Sequence, residues 1–364
     1  MTIFRRTGTA LAAALLLAGA SGPGCIGLRF DREAMLGAVA DTVIVPAHLE
    51  LVAATEELDA VARRFAASPG PESLAALRAH WLSAMLAWKG VELYDFPGLL
   101  LIHNAIERRP ARIPFIEEVI AEADADALGE MDGAFVESLG STTKGLAAIE
   151  YLIFPAGEEP PALDRFADPA RRAFLTALTA NLSTKAAELH RHWTPEGTDY
   201  ARSFRENDSE GADIQGSVSL LANEMIALLE MVMRTRLGIP MGDATDGEPR
   251  PAEVESARTG ESLALMSASL ASIRDTFEAG VDDYVDFLDR SPADRGLAQA
   301  IRNQFGAVER ALSAIPGPLG RAVTESPAEV ALTFEAMRGL LVLVKTDMAA
   351  LLGITVTFSD NDGD

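Results

Sequence analysis

The chain has 364 residues, of which 48% are hydrophobic and 23% charged, so its composition is that of a folded protein and excludes a disordered, solvated segment. Acidic residues (54 Asp and Glu) outnumber basic ones (31 Lys and Arg), and the formal net charge is −23 at pH 7. So acidic a protein repels phosphate backbones, and we expect no nucleic-acid partner. The length predicts about two domains.

The first 25 residues have the pattern of an export signal. Arg5 and Arg6 form a basic start, an apolar run extends from Thr9 to Ala20, and the small residues at 18–20 fit a cleavage site. The run is too short for a membrane span, which needs about 20 residues. The sequence therefore predicts a signal peptide over residues 1–25 and an exported protein of the periplasm or cell envelope.

Cys25 is the only cysteine, so neither an intramolecular disulfide nor a cysteine-based zinc or iron–sulfur site can form. Its place directly after the leader resembles the acylated first residue of a bacterial lipoprotein, which would anchor the protein to the outer membrane. Cleavage after Ala20, leaving a free thiol, is the alternative. An unpaired cysteine is unusual in an exported protein, so lipidation of Cys25 remains a serious expectation. We expect membrane contact only through such a lipid.

Three long segments carry apolar residues at alternating spacings of three and four, the stripe that a helix presents to a core. They span residues 74–88, 263–277 and 330–351. Ser326-Pro327 begins the last of these helices and Gly353 ends it. Only Ile354, Val356 and Phe358 alternate briefly with period two, as a tail strand would. The sequence predicts an all-α protein of two antiparallel helical bundles with a short extended C-terminal tail.

The helical periodicity disappears between Gly238 and Gly260, where Asp, Gly and Pro favour turns. We take this stretch as the boundary between an N-terminal bundle over residues 29–242 and a C-terminal bundle with the tail over residues 256–364. Shorter breaks are predicted at residues 68–71, 155–161, 195–199 and 316–318.

Glu150 is the most informative residue, because it is the only charged residue between Gly145 and Gly157. On a helix, Leu146 and Ile153 share its face, so its carboxylate is expected on the apolar side. An ionised carboxylate is too costly to bury without a counter-charge, a hydrogen-bond network or a metal ion. The residues alone favour a structural ion pair or a bond to a helix N-terminus, and leave open a metal or catalytic role and simple exposure of the side chain.

Glu92 is placed comparably, since it extends the stripe of residues 74–88 by one turn. If two such helices pack, Glu92 and Glu150 could meet across the bundle, as carboxylates from facing helices do in metal sites. A solvated flank is the alternative for Glu92. The histidines contain no H-E-x-x-H motif, and His103 with Glu107 is only a common i, i+4 pair.

The segment from Gly145 to Phe154 resembles the G-x-H-x-x-E signature of the imelysin family, which is usually followed by Tyr-Leu and an apolar residue. Gly145 and Glu150 match the signature, whereas Ala147 stands at its histidine position. Similarity continues in the family's order over nearly the whole mature chain. It includes the Trp-bearing and Glu-bearing helix before Phe96-Pro97-Gly98, and residues 236–242, 255–263 and 352–364.

The resemblance implies two helical-bundle domains, residence in the periplasm or on the envelope, and an association with iron uptake. Some members of the family are classed as metallopeptidases, with the motif's His and Glu as metal ligands. In this chain only Glu150 can inherit a ligand role, because Ala147 has no lone pair. A remaining all-oxygen site from Glu150 and Glu92 would prefer a hard cation such as iron(III) or calcium, weakly bound.

The sequence therefore favours a non-catalytic envelope protein that serves iron or metal acquisition, through weak binding near Glu150 or by docking another uptake component. A metallopeptidase is one alternative, although hydrolysis needs an open metal coordination site and an activated water. The other alternative is a scaffold with a decayed metal site, in which Glu150 pairs with Arg or Lys inside the bundle.

Overall fold

Helices are the regular elements of the computed structural model, which describes residues 29–123, 127–207, 216–243, 245, 247–289 and 296–357. No strand occurs within these ranges, and the predicted all-α class is confirmed. The leader, Cys25 and Phe358 lie outside the described residues, so the signal peptide, the lipidation and the outer end of the tail stay predictions.

In chain order, the helices of the first part are α1 (Arg32–Val39), α2 (Val45–Ala67), α3 (Pro71–Val91), α4 (Leu100–Ile106), α5 (Ile113–Glu122), α6 (Ala127–Glu130), α7 (Gly133–Glu137), α8 (Gly145–Ile153), α9 (Ala162–Arg165), α10 (Pro169–Trp193) and α11 (Tyr200–Glu206). Those of the second part are α12 (Ser217–Glu230), α13 (Ile239–Met241), α14 (Ser262–Thr276), α15 (Asp282–Leu288), α16 (Leu297–Ala314), α17 (Leu319–Glu325), α18 (Pro327–Val342) and α19 (Ala349–Leu352).

Short segments of other helical geometry join several of these elements. The π-helical segments are Ala40–Ile44, Met231–Gly238, Phe277–Val281 and Leu343–Met348, and the 3₁₀ turns are Ser141–Thr143 and Pro251–Glu253. Three of these π segments continue one α-helix directly into the next, so α18 and α19 form one rod from Pro327 to Leu352, whereas Phe277–Val281 contains a kink at Gly280, whose φ is +130°. Gly353 ends that rod with φ +68°. Both predicted ends of this helix are confirmed.

The core of the N-terminal part is built on α2, which packs against α3 and α10. Leu58 and Phe65 on its inner face are fully buried, and the Phe65 ring meets Phe166 edge to face with 4.9 Å between ring centroids. The continuous helix Arg32–Ala67 is long and apolar enough to cross a membrane by length and composition. Its buried face against α3 and α10 is that of a core helix.

The C-terminal part is built on α14, α16 and α18, and α14 also packs against α3. Met266, Leu270 and Ile273, from the predicted apolar stripe of α14, are all buried. Residues from Asp31 onward group as one compact unit. The division into bundles of residues 29–242 and 256–364 stays a prediction.

The extended tail is fixed by one side chain of α12. The Asn223 amide donates to the Thr355 carbonyl at 3.2 Å, and its oxygen accepts the Thr357 N–H at 2.8 Å. The amide thus supplies the donor and the acceptor that a neighbouring strand would supply. Residues 354–357 form no strand, because an amide side chain takes the place of the partner backbone.

The start of α8 requires glycine at position 145. Its φ is +72°, and an added Cβ would lie 2.6 Å from the Ala105 carbonyl oxygen and closer still to that of Ile106. The backbone at the end of α4 therefore contacts the first residue of α8 directly. A residue larger than glycine at position 145 would not allow these two helices to approach so closely.

We predict that Gly145→Ala lowers the free energy of unfolding by about 2–4 kcal/mol, because it adds both backbone strain and a clash with backbone atoms. Urea denaturation measures the loss. Gly37→Ala in α1 is the control: nothing lies within 4 Å of its added Cβ, so it should be neutral or stabilising. Equal effects of the two substitutions would contradict this account of Gly145.

Candidate functional site

The whole of α8 is buried, and Glu150 is 2% exposed on it. Arg109 Nη2 donates to Glu150 Oε2 at 2.6 Å, and Ser256 Oγ donates to the same oxygen at 2.9 Å. The predicted buried carboxylate on a helix is confirmed, and its neutralising partner is an arginine. This is the structural ion pair that the residues alone favoured.

Both ends of α8 are held by side chains of α3. Trp81 Nε1 donates to the Leu146 carbonyl at 3.0 Å, and Arg78 donates to the Ile153 carbonyl at 2.9 and 2.8 Å. The Arg78 bonds satisfy a carbonyl of the last turn that has no partner within the helix, and the Trp81 bond gives a buried indole N–H its acceptor. The position of Glu150 is therefore set by α3 as well as by α4.

Glu92 directly follows α3, and its side chain is 8% exposed. Arg236 donates two parallel hydrogen bonds to this carboxylate, from Nη1 to Oε1 at 2.8 Å and from Nη2 to Oε2 at 2.7 Å. Arg236 lies in the π-helical segment Met231–Gly238, 144 residues away in the chain. The alternative of a solvated flank for Glu92 is wrong.

Lys89 connects Glu92 to two more carboxylates. Its ammonium group is fully buried and donates to Glu92 and Glu107 at 2.9 Å each and to Glu255 at 2.8 Å. Glu107 also accepts from Arg109 Nε at 2.6 Å. Glu92 and Glu150 thus belong to one network, joined through Lys89, Glu107 and Arg109. We call it the glutamate cluster, and its members are Lys89, Glu92, Glu107, Arg109, Glu150, Arg236 and Glu255.

Three basic side chains placed among the four acids explain why these acids can lie together inside the protein. Burial alone would raise the pKa of Glu92, but Arg236 and then Lys89 outweigh it and lower that pKa to about 2. The pKa of Glu107 is likewise well below its ordinary value, because Lys89 and Arg109 outweigh burial. Burial and Arg236 lower the pKa of Lys89, but its three carboxylates raise it more. These members are therefore charged at neutral pH.

Glu255 and Ser256 come from the loop before α14. Glu255 Oε2 lies 3.3 Å from Arg236 Nε, which is an ionic contact, yet this buried oxygen has no hydrogen bond of acceptable geometry. Ser256 has φ +51°, a left-handed conformation that costs energy in a residue other than glycine. Its hydroxyl thereby reaches both Arg109 and Glu150.

Sequence reasoning missed five members of the cluster: Lys89, Glu107, Arg109, Arg236 and Glu255. Lys89 had a usable signal, because it is the lone basic residue in an otherwise apolar helical stretch, whereas Arg236 is preceded by Arg234 and was not distinguished from it by the sequence. Glu107 was considered only as a partner of His103. In the structure Glu107 binds Lys89 and Arg109, whereas the His103 ring packs edge to face on Trp88 at 5.0 Å between centroids.

The cluster as arranged does not provide a ligand set for a metal ion. Within the part of the chain that the structure describes, no three His, Asp or Glu side chains are grouped so that they could hold one. Ala147 is 3% exposed beside Glu150 and offers no donor atom. Arg109, Arg236 and Lys89 are already bonded to the carboxylates of the cluster. Metal binding by Glu150 and Glu92 stays a prediction.

Residues 44–344 match the family model of imelysin, which spans most of the chain. The chain belongs to the imelysin family. Among curated proteins, none is significantly similar to it. An imelysin-like protein from Psychrobacter arcticum 273-4 has a similar structure, with a TM-score of 0.73, 17% identity and coverage of 90% of this chain and 97% of the other. An iron-regulated protein A precursor from Parabacteroides distasonis ATCC 8503 gives a TM-score of 0.72, 16% identity and the same coverage. At such identities the likeness shows the imelysin fold alone.

We predict that Arg109→Met lowers the free energy of unfolding by about 3–5 kcal/mol, because it leaves Glu150 and Glu107 short of a buried counter-charge. The double variant Arg109→Met/Glu150→Gln should recover part of this loss. Urea denaturation of both single variants and the double variant gives the coupling energy. If the two single effects simply add, Arg109 is not what neutralises Glu150.

The depressed pKa of Glu92 predicts a loss of stability in acid. A lowered pKa means that the contribution of Glu92 is complete above its ordinary value of 4.5 and disappears as the pH falls through about 2. Glu92→Gln should therefore be less stable than the wild type at pH 7, and this difference should shrink between pH 5 and 2. Unfolding free energies over that range test this, and a pH-independent difference would contradict it.

Proposed function

We propose that this imelysin-family protein acts without catalysis in the cell envelope, where it serves iron acquisition by docking another uptake component. Its glutamate cluster would act as the rigid centre of that scaffold. One observation carries the proposal: the one motif residue that could bind metal, Glu150, is already paired with Arg109 and Ser256. The name of the Parabacteroides distasonis neighbour, an iron-regulated protein, supports the link with iron.

The cluster joins parts of the chain that are far apart in sequence. Its bonds connect the end of α3 to residues 107 and 109 after α4, to α8, to the π segment before α13 and to the loop before α14. Most members have two or more oppositely charged partners, so removing one whole side chain leaves several buried charges short of a counter-charge, and the cluster resists partial opening. A docking surface built on these elements would be held in one shape.

Location in the envelope is supported by the leader pattern of residues 1–25 and by the word precursor in the neighbour's name. With Cys25 acylated, the protein would be tethered to the outer membrane and could meet uptake components there. Cleavage after Ala20 would instead release it into the periplasm.

A metallopeptidase is the second candidate, because the family is named among peptidases. Metal-assisted hydrolysis needs a cation with an open coordination position for water. Glu150 would have to give up Arg109 to bind that cation, and the motif histidine is Ala147. Chelator-sensitive cleavage of an unfolded protein substrate would favour this candidate over our proposal.

We predict that calorimetric titration of the leaderless protein with iron(III) citrate gives no heat that depends on Glu150, because Arg109 already neutralises that carboxylate. Wild type and Glu150→Gln should behave alike. Glu159→Gln, which removes a carboxylate paired with Arg258 outside the cluster, is the matched control. A binding heat that is present in wild type and control but absent in Glu150→Gln would overturn the non-metal proposal.

The docking role has a separate test in the host bacterium. We expect deletion of the gene to slow growth when iron is limiting, and complementation with the full-length gene to restore it. Complementation with Glu150→Gln/Arg109→Met, a neutral replacement of the pair, should also restore growth if the protein folds. Normal growth of the deletion strain under iron limitation would contradict the proposed function.

A further inference from the structure

The guanidinium of Arg236 is buried and always charged, so each of its N–H groups needs an acceptor inside the protein. Nη1 donates to Glu92 Oε1 and to Ser269 Oγ, both at 2.8 Å. Nη2 donates to Glu92 Oε2 at 2.7 Å and to Met231 Sδ at 3.3 Å, and Nε lies 3.3 Å from Glu255 Oε2. One N–H of this arginine therefore relies on a thioether sulfur, which is a weak acceptor.

The contact between Met231 and Arg236 follows from the π-helical geometry of the segment Met231–Gly238. The two residues are five apart, whereas side chains that meet on an α-helix are three or four apart. A π-helix is hydrogen-bonded from i to i+5, so its wider turn brings such a pair onto one face. Single π turns inside α-helices are frequent at functional sites. Here the π segment places a sulfur atom against a cation of the glutamate cluster.

Met231 is also open to solutes. Among the methionines in the described part of the chain, Met231 and Met241 are partly exposed and the others are buried. An oxidant must reach a sulfur atom to modify it, so partly exposed methionines react before buried ones. Met241 ends α13 and serves as an internal reference for Met231. Met231 combines exposure with a hydrogen bond to the cluster.

We propose that Met231 is an oxidation site through which a peroxide loosens the glutamate cluster. The sulfur lone pair attacks one oxygen of hydrogen peroxide, the O–O bond breaks, and the other oxygen leaves with both hydrogens as water. The sulfur is oxidised by two electrons to a sulfoxide, and the peroxide is reduced by the same two electrons. Methionine sulfoxide reductases reverse this modification. The proposal does not depend on metal binding or on the docking role.

The sulfoxide disturbs Arg236 in two ways. Its oxygen is polar and is a stronger acceptor than the thioether sulfur, so it competes with Glu92 for the N–H groups of Nη2. The sulfur and Nη2 are already only 3.3 Å apart, so an oxygen cannot enter between them unless one of the two side chains moves. Arg236 also contacts Glu255, and a shift of its guanidinium leaves both carboxylates short of counter-charge.

The test is limited treatment of the leaderless protein with hydrogen peroxide, followed by peptide mass spectrometry and thermal unfolding. Met231 and Met241 should each gain one oxygen before the buried methionines do. The unfolding midpoint should fall by a few degrees in the wild type and in the matched control Met241→Leu, but not in Met231→Leu. Both substitutions conserve side-chain volume, and the untreated variants supply the baselines. Methionine sulfoxide reductase should restore the midpoint of the oxidised wild type.

The variant Glu92→Gln distinguishes an effect on the cluster from a general loss of packing. If the sulfoxide draws Arg236 away from Glu92, peroxide should lower the midpoint of Glu92→Gln less than that of the wild type. Three results would each overturn the proposal: an unmodified Met231 in protein whose Met241 has reacted, an unchanged midpoint after Met231 is oxidised, or equal losses in the two backgrounds. Normal growth of the deletion strain would refute the docking role and leave these results unaffected.

Discussion

The structure depends on the rule that a charge cannot be buried without an opposite charge beside it. Glu92, Glu107, Glu150 and Glu255 are tolerated because the buried Lys89 and Arg236 and the partly exposed Arg109 lie among them. Each cation contacts at least two of the acids, so the arrangement exists only as a whole. The helices that supply these groups are thereby fixed relative to one another, and the cluster explains why α8 can be buried from end to end.

Much of the fold could be predicted from local pattern. The rod from Pro327 to Leu352 follows from an apolar stripe, a first-turn proline and a final glycine, which are signals contained within the segment itself. The π-helical interruptions could not be predicted, because they shift the hydrophobic pattern by only one residue. The tail strand was expected from three alternating residues, but the partner of residues 354–357 is the Asn223 side chain.

The site was less predictable than the fold, because its contacts are long-range. The apolar surroundings of Glu150 required a partner, yet Arg109 and Ser256 lie 41 and 106 residues away in sequence, and nothing local distinguishes Arg109 from Arg108. The resemblance to the imelysin motif directed attention to a metal. Ala147, which stands at the histidine position of the motif, argued against a metal. The ion pair at Glu150 agrees with that argument.

The most direct test is a crystal structure of the full mature protein grown with iron(III) and measured at the iron absorption edge. The account predicts that Arg109 Nη2 remains within hydrogen-bond distance of Glu150 Oε2, with no anomalous peak at coordination distance from Glu150 or Glu92. An iron peak about 2–2.5 Å from either carboxylate, with Arg109 displaced, would contradict it.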